Sequence, residues 1–160
     1  MALPQTFTVY RRTSGDLPRT VKPCTETLSQ ELGPNDVLIK IHAVSLNFRD
    51  VAMLNGRYPV EVTESGVPAS DCAAEVRGLG SNVKAFAIGD RVAPIFDQGN
   101  LTGQDDTPSR ALGGDVDGVL REYAVYDEKV LVRLPQNLSW EEVRFSLPIS
   151  DPASPHYLLT

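Results

Sequence analysis

The sequence predicts a mainly β protein, a barrel or sandwich of short strands with a few short helices. Three observations carry this. Short apolar or alternating runs recur along the 160 residues, each closed by a turn signal. Gly 12 and Pro 12 together supply more turn chemistry than long helices tolerate. No amphipathic crossover helix separates one run from the next, as a parallel sheet requires. The apolar fraction of 41% suffices for an ordinary core in a single domain of this length.

The elements follow in chain order. Residues 6–11 (TFTVYR) alternate and are rich in β-formers. Residues 37–46 (VLIKIHAVSL) follow the turn Gly33-Pro34-Asn35-Asp36 and alternate through Val37, Ile39, Ile41 and Ala43. Residues 47–55 (NFRDVAMLN) open on an N-cap type residue and stop before Gly56, which predicts a short helix. Residues 72–77, 91–96, 120–126 and 130–134 read as further strands. A second helix is predicted over 139–146, where Ser139 and Glu142 form a capping box. Between them, residues 97–118 make a long polar, glycine-rich loop, of the kind that is functional or mobile in a compact domain. The stretch 147–160 carries three prolines, so the helix cannot run far into it.

Charge and composition exclude several classes. Acidic residues outnumber basic ones 21 to 15, for a net charge of −6, and the basic residues are scattered. A nucleic-acid partner needs clustered Lys and Arg, so none is expected. No apolar run reaches the ~20 residues that cross a bilayer, and the N-terminus lacks the pattern of a secretion signal. The expected location is cytoplasmic. Cys24 and Cys72 form no CxxC and read as free, mostly buried thiols.

Most motif fragments reduce to structure. Gly78-Leu79-Gly80-Ser81-Asn82-Val83 starts like a dinucleotide fingerprint, but the third glycine is replaced by Val83 and Gly89-Asp90 interrupts before any helix. It reads as a turn. Asp115, Asp117 and Glu122 echo a calcium loop without its full ligand set, and read as a solvated acidic loop. His42 and His156 lie far from any cysteine at ligand spacing, and His42 falls on a strand as a surface or satisfied core residue.

Three longer stretches are more informative: SLNFRDVAMLNGRYP, GVPASDCAAEVRGLGSNVKAFAIGDRV and GGDVDGVLREYAVYDEKVLVRLPQNLSWEEV. Over residues 37–148 the chain resembles the N-terminal, GroES-like catalytic domain of the medium-chain dehydrogenase/reductase superfamily, in its zinc-free quinone and enoyl reductase-like branch. The resemblance implies a twisted antiparallel β-barrel with a few short helices, over residues 1–148, followed by a divergent tail, 149–160. It also implies that no catalytic zinc is bound. Zinc enzymes of the superfamily keep a cysteine at the position of Asn47 and a His-Glu pair at Ser70-Asp71, and serine and asparagine cannot replace thiolate and imidazole. The four-cysteine lobe is also missing, since residues 97–118 contain no cysteine.

Full family members continue into a nucleotide-binding domain, and no βαβ unit or phosphate loop follows Pro148 here. The expectation is therefore no cofactor, with NADPH held only if that domain is supplied. The favoured reading is a standalone shortened domain that binds a small apolar metabolite and steers a cofactor-free cyclisation, isomerisation or elimination. One alternative is a truncated zinc-free NADPH-dependent enoyl or quinone oxidoreductase. The other is a non-catalytic binding or dimerisation module. Loss of the partner domain would bare apolar surface around Tyr58, Pro59, Val60 and residues 147–149, so a homodimer is expected.

The resemblance also places the site. Asp71 is the candidate general acid or base, with Tyr58 and Arg49 beside it as catalytic groups that bond or neutralise a developing oxyanion. Asn47, Phe48, Asp50 and Ser70 are the candidate substrate-binding residues. Against this stands a scaffold reading, in which Asn47 caps its helix and Arg49 and Asp50 pair with neighbouring charges.

Overall fold

The computed structural model describes residues 3–142. β1 (Thr6–Arg12) and β2 (Val21–Thr27) pair as an antiparallel hairpin. β3 (Asp36–Ser45), β4 (Asp71–Leu79), β5 (Arg91–Pro94), β6 (Tyr123–Asp127) and β7 (Leu131–Arg133) form one sheet in the order β6-β3-β4-β5-β7, antiparallel at every pairing. A seven-residue helix, α1 (Phe48–Leu54), leaves the end of β3, and a 3₁₀ turn at Glu128–Val130 links β6 to β7. The expected mainly β architecture is what forms.

Burial fixes the register. Val37, Ile39, Val76 and Val92 are fully buried in the main core, against Leu112 and Val119 from the long loop and the segment after it. Each such side chain stabilises by about 1.5–3 kcal/mol relative to exposure. A one-residue slip would turn them all outward. Leu38, on the opposite face of β3, is also buried, because Phe7, Val9 and Tyr123 cover it in a second cluster. Register shifts between Leu38 and Ile39 and between Ile41 and Ala43 bend β3 against β4. Such bulges raise the local twist and curl the sheet. The hairpin extends that curl: Val9 bridges Arg121, and the Tyr10 N–H donates to the Leu120 carbonyl at 3.0 Å.

Several elements differ from the sequence expectation. β2 was not predicted, because Val21-Lys22-Pro23-Cys24 offers no apolar alternation. It forms as an edge strand, where Pro23 is tolerated, and Cys24 is exposed rather than buried. Residues 120–122, expected in a strand, instead serve the bridge to β1. The loop 97–118 is not a free surface loop throughout, since Ala111 to Gly114 and Gly118 are buried against the sheet. The capping box at Ser139 is present: the Glu142 carboxylate accepts the Ser139 N–H at 2.8 Å and the Ser139 hydroxyl accepts the Glu142 N–H at 3.2 Å. The remainder of that helix, the tail 149–160 and the apolar residues 147–149 lie outside the described residues.

Candidate functional site

The site is built where β3 runs into α1 and the chain returns into β4. Asn47 is the N-cap of α1, with extended backbone at φ −116° and ψ 161°. Asp50 supplies the acidic half of the cap, its Oδ2 accepting the Asn47 N–H at 2.9 Å. Its Oδ1 accepts the Ala69 N–H, also at 2.9 Å. Asp50 is buried and both its oxygens serve backbone amides, so it ties α1 to the entry of β4.

Ala69 needs that tie. Its φ of +67° lies in the left-handed region, which costs a residue bearing a Cβ about 1–2 kcal/mol. Besides Asp50, the Val119 N–H holds it from the other side, donating to the Ala69 carbonyl at 3.0 Å. Gly118 makes this approach possible, because a Cβ there would lie 2.0 Å from the Ala69 oxygen. The turn delivers Ser70 and Asp71 to the rim of the sheet, both buried. The Asn47 Nδ2 and the Ser70 hydroxyl then both donate to Asp71 Oδ2, each at 2.6 Å. Asn47 thus spends one hydrogen of its side-chain nitrogen on Asp71, and Asp71 carries two short hydrogen bonds that hold a side-chain amide in one orientation.

Arg49 and Tyr58 form a second group. The guanidinium carbon of Arg49 lies 5.5 Å from the Tyr58 ring centre and 4.8 Å from that of Phe96, within cation–π range. Its Nη1 donates to the Leu112 carbonyl at 2.8 Å, while Nε and Nη2 are buried without a hydrogen-bond partner. Tyr58 lines an open cavity of about 520 Å³ with Met53 and Val60, to which Asn47, Ser70 and Asp71 do not contribute. Phe48 is 84% exposed, and with Leu46 and Val51 it makes an apolar outer face beside Asn47. The predicted residues therefore fall into one hydrogen-bonded cluster (Asn47, Ser70, Asp71), one stacked cluster (Arg49, Tyr58), one tie (Asp50) and one exposed ring (Phe48).

Sequence reasoning missed Arg12. Its buried guanidinium donates to the Gly113 carbonyl at 2.7 Å and the Thr63 carbonyl at 3.1 Å, clamping the loops behind Tyr58 and Arg49. Burial pulls its pKa down from the usual guanidinium value. The only available signal was the adjacent pair Arg11-Arg12, which composition alone reads as ordinary surface charge.

The other motifs resolve into structure. The Gly80 N–H donates to the Asp36 carbonyl at 2.7 Å and the Asn82 N–H to the Pro34 carbonyl at 2.8 Å, so the amides after β4 are spent on closing a turn. Asp115 accepts the Ala111 N–H, Asp117 pairs with Arg11, and Glu122 accepts the Thr8 N–H, so the three carboxylates do not converge. His42 sits at a bulge of β3, 3.0 Å from Glu75 and stacked 4.3 Å from Trp140. Among the described residues no three His, Cys, Asp or Glu side chains gather as a metal site, and no helix is long and apolar enough to cross a membrane.

Residues 33–136 match the alcohol dehydrogenase GroES-like domain family. The chain belongs to that family. Curated relatives of this GroES-like domain include a zinc-type alcohol dehydrogenase-like protein of Schizosaccharomyces pombe, 39% identical over 77% of this chain and 36% of its own length. A trans-enoyl reductase of Pyricularia oryzae is 38% identical over 68% of this chain and 27% of its own. A quinone oxidoreductase of Pseudomonas aeruginosa is 34% identical over 70% and 29%. A solved structure from Sinorhizobium meliloti 1021, assigned to the alcohol dehydrogenases, superposes with a TM-score of 0.77 at 30% identity, over 89% of this chain and 43% of that one. The chain thus spans about a third of the length of these curated relatives. It is a reductase-like domain of the medium-chain dehydrogenase/reductase kind.

Proposed function

We propose that this domain forms the substrate side of a reductase acting on a carbon–carbon double bond conjugated to a carbonyl, of the enoyl or quinone type. The observation that carries the reading is the Asn47–Ser70–Asp71 cluster on a strained turn, set beside the exposed apolar face of Leu46, Phe48 and Val51. The names of the enoyl reductase and quinone oxidoreductase relatives point the same way. Nothing in these relatives supports the cofactor-free cyclisation, isomerisation or elimination that the chain's length suggested.

Reduction of such a substrate places negative charge on its carbonyl oxygen. A fixed donor aimed at that oxygen lowers the barrier, because its reorganisation is completed during folding. Asn47 has that character: one amide hydrogen is anchored on Asp71 and the other remains for a ligand oxygen. Ser70 shares the anchor and stiffens it. Tyr58, its ring held by Arg49, belongs to the separate cavity with Met53 and Val60 and takes no part in this step. Asp71 is in this scheme a positioning residue.

The described residues do not fit a dinucleotide. The glycine-rich turn over residues 78–83 has spent its Gly80 and Asn82 amides on the carbonyls of Asp36 and Pro34. Zinc is no better suited, since an amide, a hydroxyl and a single carboxylate are a poor donor set for it. A hydride donor would be held by residues other than 3–142, in a longer polypeptide or in a partner.

Calorimetric titration with a neutral enone, 2-cyclohexen-1-one, tests the reading. Asn47→Ala is expected to weaken binding roughly tenfold, the loss of one hydrogen bond to a polar ligand. Asp71→Asn is expected to weaken it less, by loosening the same amide. Binding unchanged in Asn47→Ala would place the substrate elsewhere.

A further inference from the structure

We propose that a groove of about 450 Å³ between β6, the 3₁₀ turn after it and the long loop binds a small amphipathic anion, an acyl or aryl chain ending in a carboxylate or phosphate. The groove lies apart from the Asn47–Asp71 cluster and the Tyr58 cavity, and shares no residue with either. Its volume falls within the range of small-molecule sites.

Charge decides the class of ligand. In a chain of net charge −6, three cationic side chains, Arg110, Arg121 and Lys129, line this one groove. Two carboxylates, Asp117 and Asp127, also line it, so the three cations leave one net positive charge, and Asp117 is paired with Arg11. Asp117 meets Arg11 through two hydrogen bonds of 3.2 and 3.0 Å and accepts the Val67 N–H at 3.0 Å. Asp127 accepts the Lys129 N–H at 2.9 Å, capping the 3₁₀ turn.

Arg121 is the centre of the argument. Among the described residues no carboxylate lies within ion-pair distance of it. Its Nε is buried without a hydrogen-bond partner, and its Nη2 reaches only the Tyr126 hydroxyl at 3.4 Å. Burial raises the Tyr126 phenol above its ordinary pKa, so that group is a neutral acceptor and not a counter-charge. A half-buried guanidinium that feels Asp117 only at longer range, with no direct anionic partner, is costly to hold, and a ligand anion placed there recovers that cost. The apolar wall of Leu101, Val125 and Val130 would take the chain or ring behind the charge.

The test is calorimetric titration of the 160-residue chain at fixed ionic strength with sodium octanoate, octyl phosphate and 1-octanol. At least one anion is expected to bind, roughly tenfold more tightly than the alcohol, as a charge-assisted hydrogen bond implies. Arg121→Leu should lose that margin. Arg110→Glu and Lys129→Glu change exposed side chains, so they keep the fold while weakening anion binding several-fold. Tyr58→Phe should leave anion binding unchanged, which separates this groove from the Tyr58 cavity. Equal binding of octanol and the anions, no anion binding, or full binding in both charge-reversal variants would overturn the proposal.

Discussion

The rim of the sheet and the groove beneath the long loop treat buried polarity in opposite ways. At the rim, Asp50 and Asp71 are buried carboxylates, and each is met by two donors from this same chain, at 2.9 Å for Asp50 and 2.6 Å for Asp71. In the groove, Arg121 keeps a buried Nε with no partner. Satisfied polar groups rigidify the backbone around them, whereas an unmet charge leaves free energy for a ligand to recover. The rim is therefore stiff before substrate arrives, and the groove is completed by what binds.

The connection between the two regions is the place to break the contrast hardest. Gly118 lies in the loop that lines the groove and touches the turn that builds the rim. Gly118→Ala is expected to destabilise by about 4 kcal/mol, above the usual overpacking range because the clash is with a backbone oxygen. Chemical denaturation measures this, and a loss under about 1 kcal/mol would show that the loop yields easily.

Asp50→Ala attacks the rim alone. It strips the acceptor from the buried Ala69 amide and from the Asn47 cap, with an expected loss of about 3 kcal/mol. Enone binding should fall with it, while octanoate binding by the fraction that remains folded should persist.

Asp117→Asn probes the groove wall more gently, with an expected loss of about 1–2 kcal/mol at neutral pH. Burial opposes ionisation of Asp117, but the Val67 N–H and Arg11 outweigh it and hold the carboxyl below its ordinary pKa. A carboxyl depressed on folding contributes stability above its unfolded pKa of about 3.9, and loses it as pH falls through the lower folded value. The variant should therefore lose stability less steeply than the parent below about pH 4. Parallel acid limbs in pH-dependent denaturation would show that Asp117 is not linked to folding.

The smallest effect is expected at Lys129→Ala, under about 0.5 kcal/mol, because the side chain is exposed and forms no ion pair among the described residues. A thiol probe sharpens the picture of the rim from another side. Cys24 is exposed and should react at once with an aromatic disulfide. Cys72, whose thiol is pushed up by burial and by the charge of adjacent Asp71, should react only on unfolding. Two fast thiols in the native protein would mean that the start of β4 opens readily.

The strands that were legible are those whose own residues alternate. β3 declares itself through Val37, Ile39, Ile41 and Ala43, and α1 through Asn47 and the stop at Asn55-Gly56. β2 was not legible, because its order comes from backbone pairing with β1 and leaves most of its side chains exposed. The site was legible only in part. Asn47, Ser70 and Asp71 stood out by resemblance, but that the first two donate to the third depends on a turn whose left-handed Ala69 no local propensity would choose.

What the sequence by itself determined is the class of the fold and its punctuation. Alternation, turn residues and capping boxes act within a few residues, and each is readable one segment at a time. What only the tertiary structure decided is which charges are spent. Arg12 and Arg121 look alike in the sequence, yet Arg12 finds the carbonyls of Gly113 and Thr63 about 100 and 50 residues away, and Arg121 forms no direct ion pair among the described residues. Whether a cation is scaffold or site depends on where distant loops place their oxygens, and in a sheet of non-local pairings that information exists only once the chain has closed on itself.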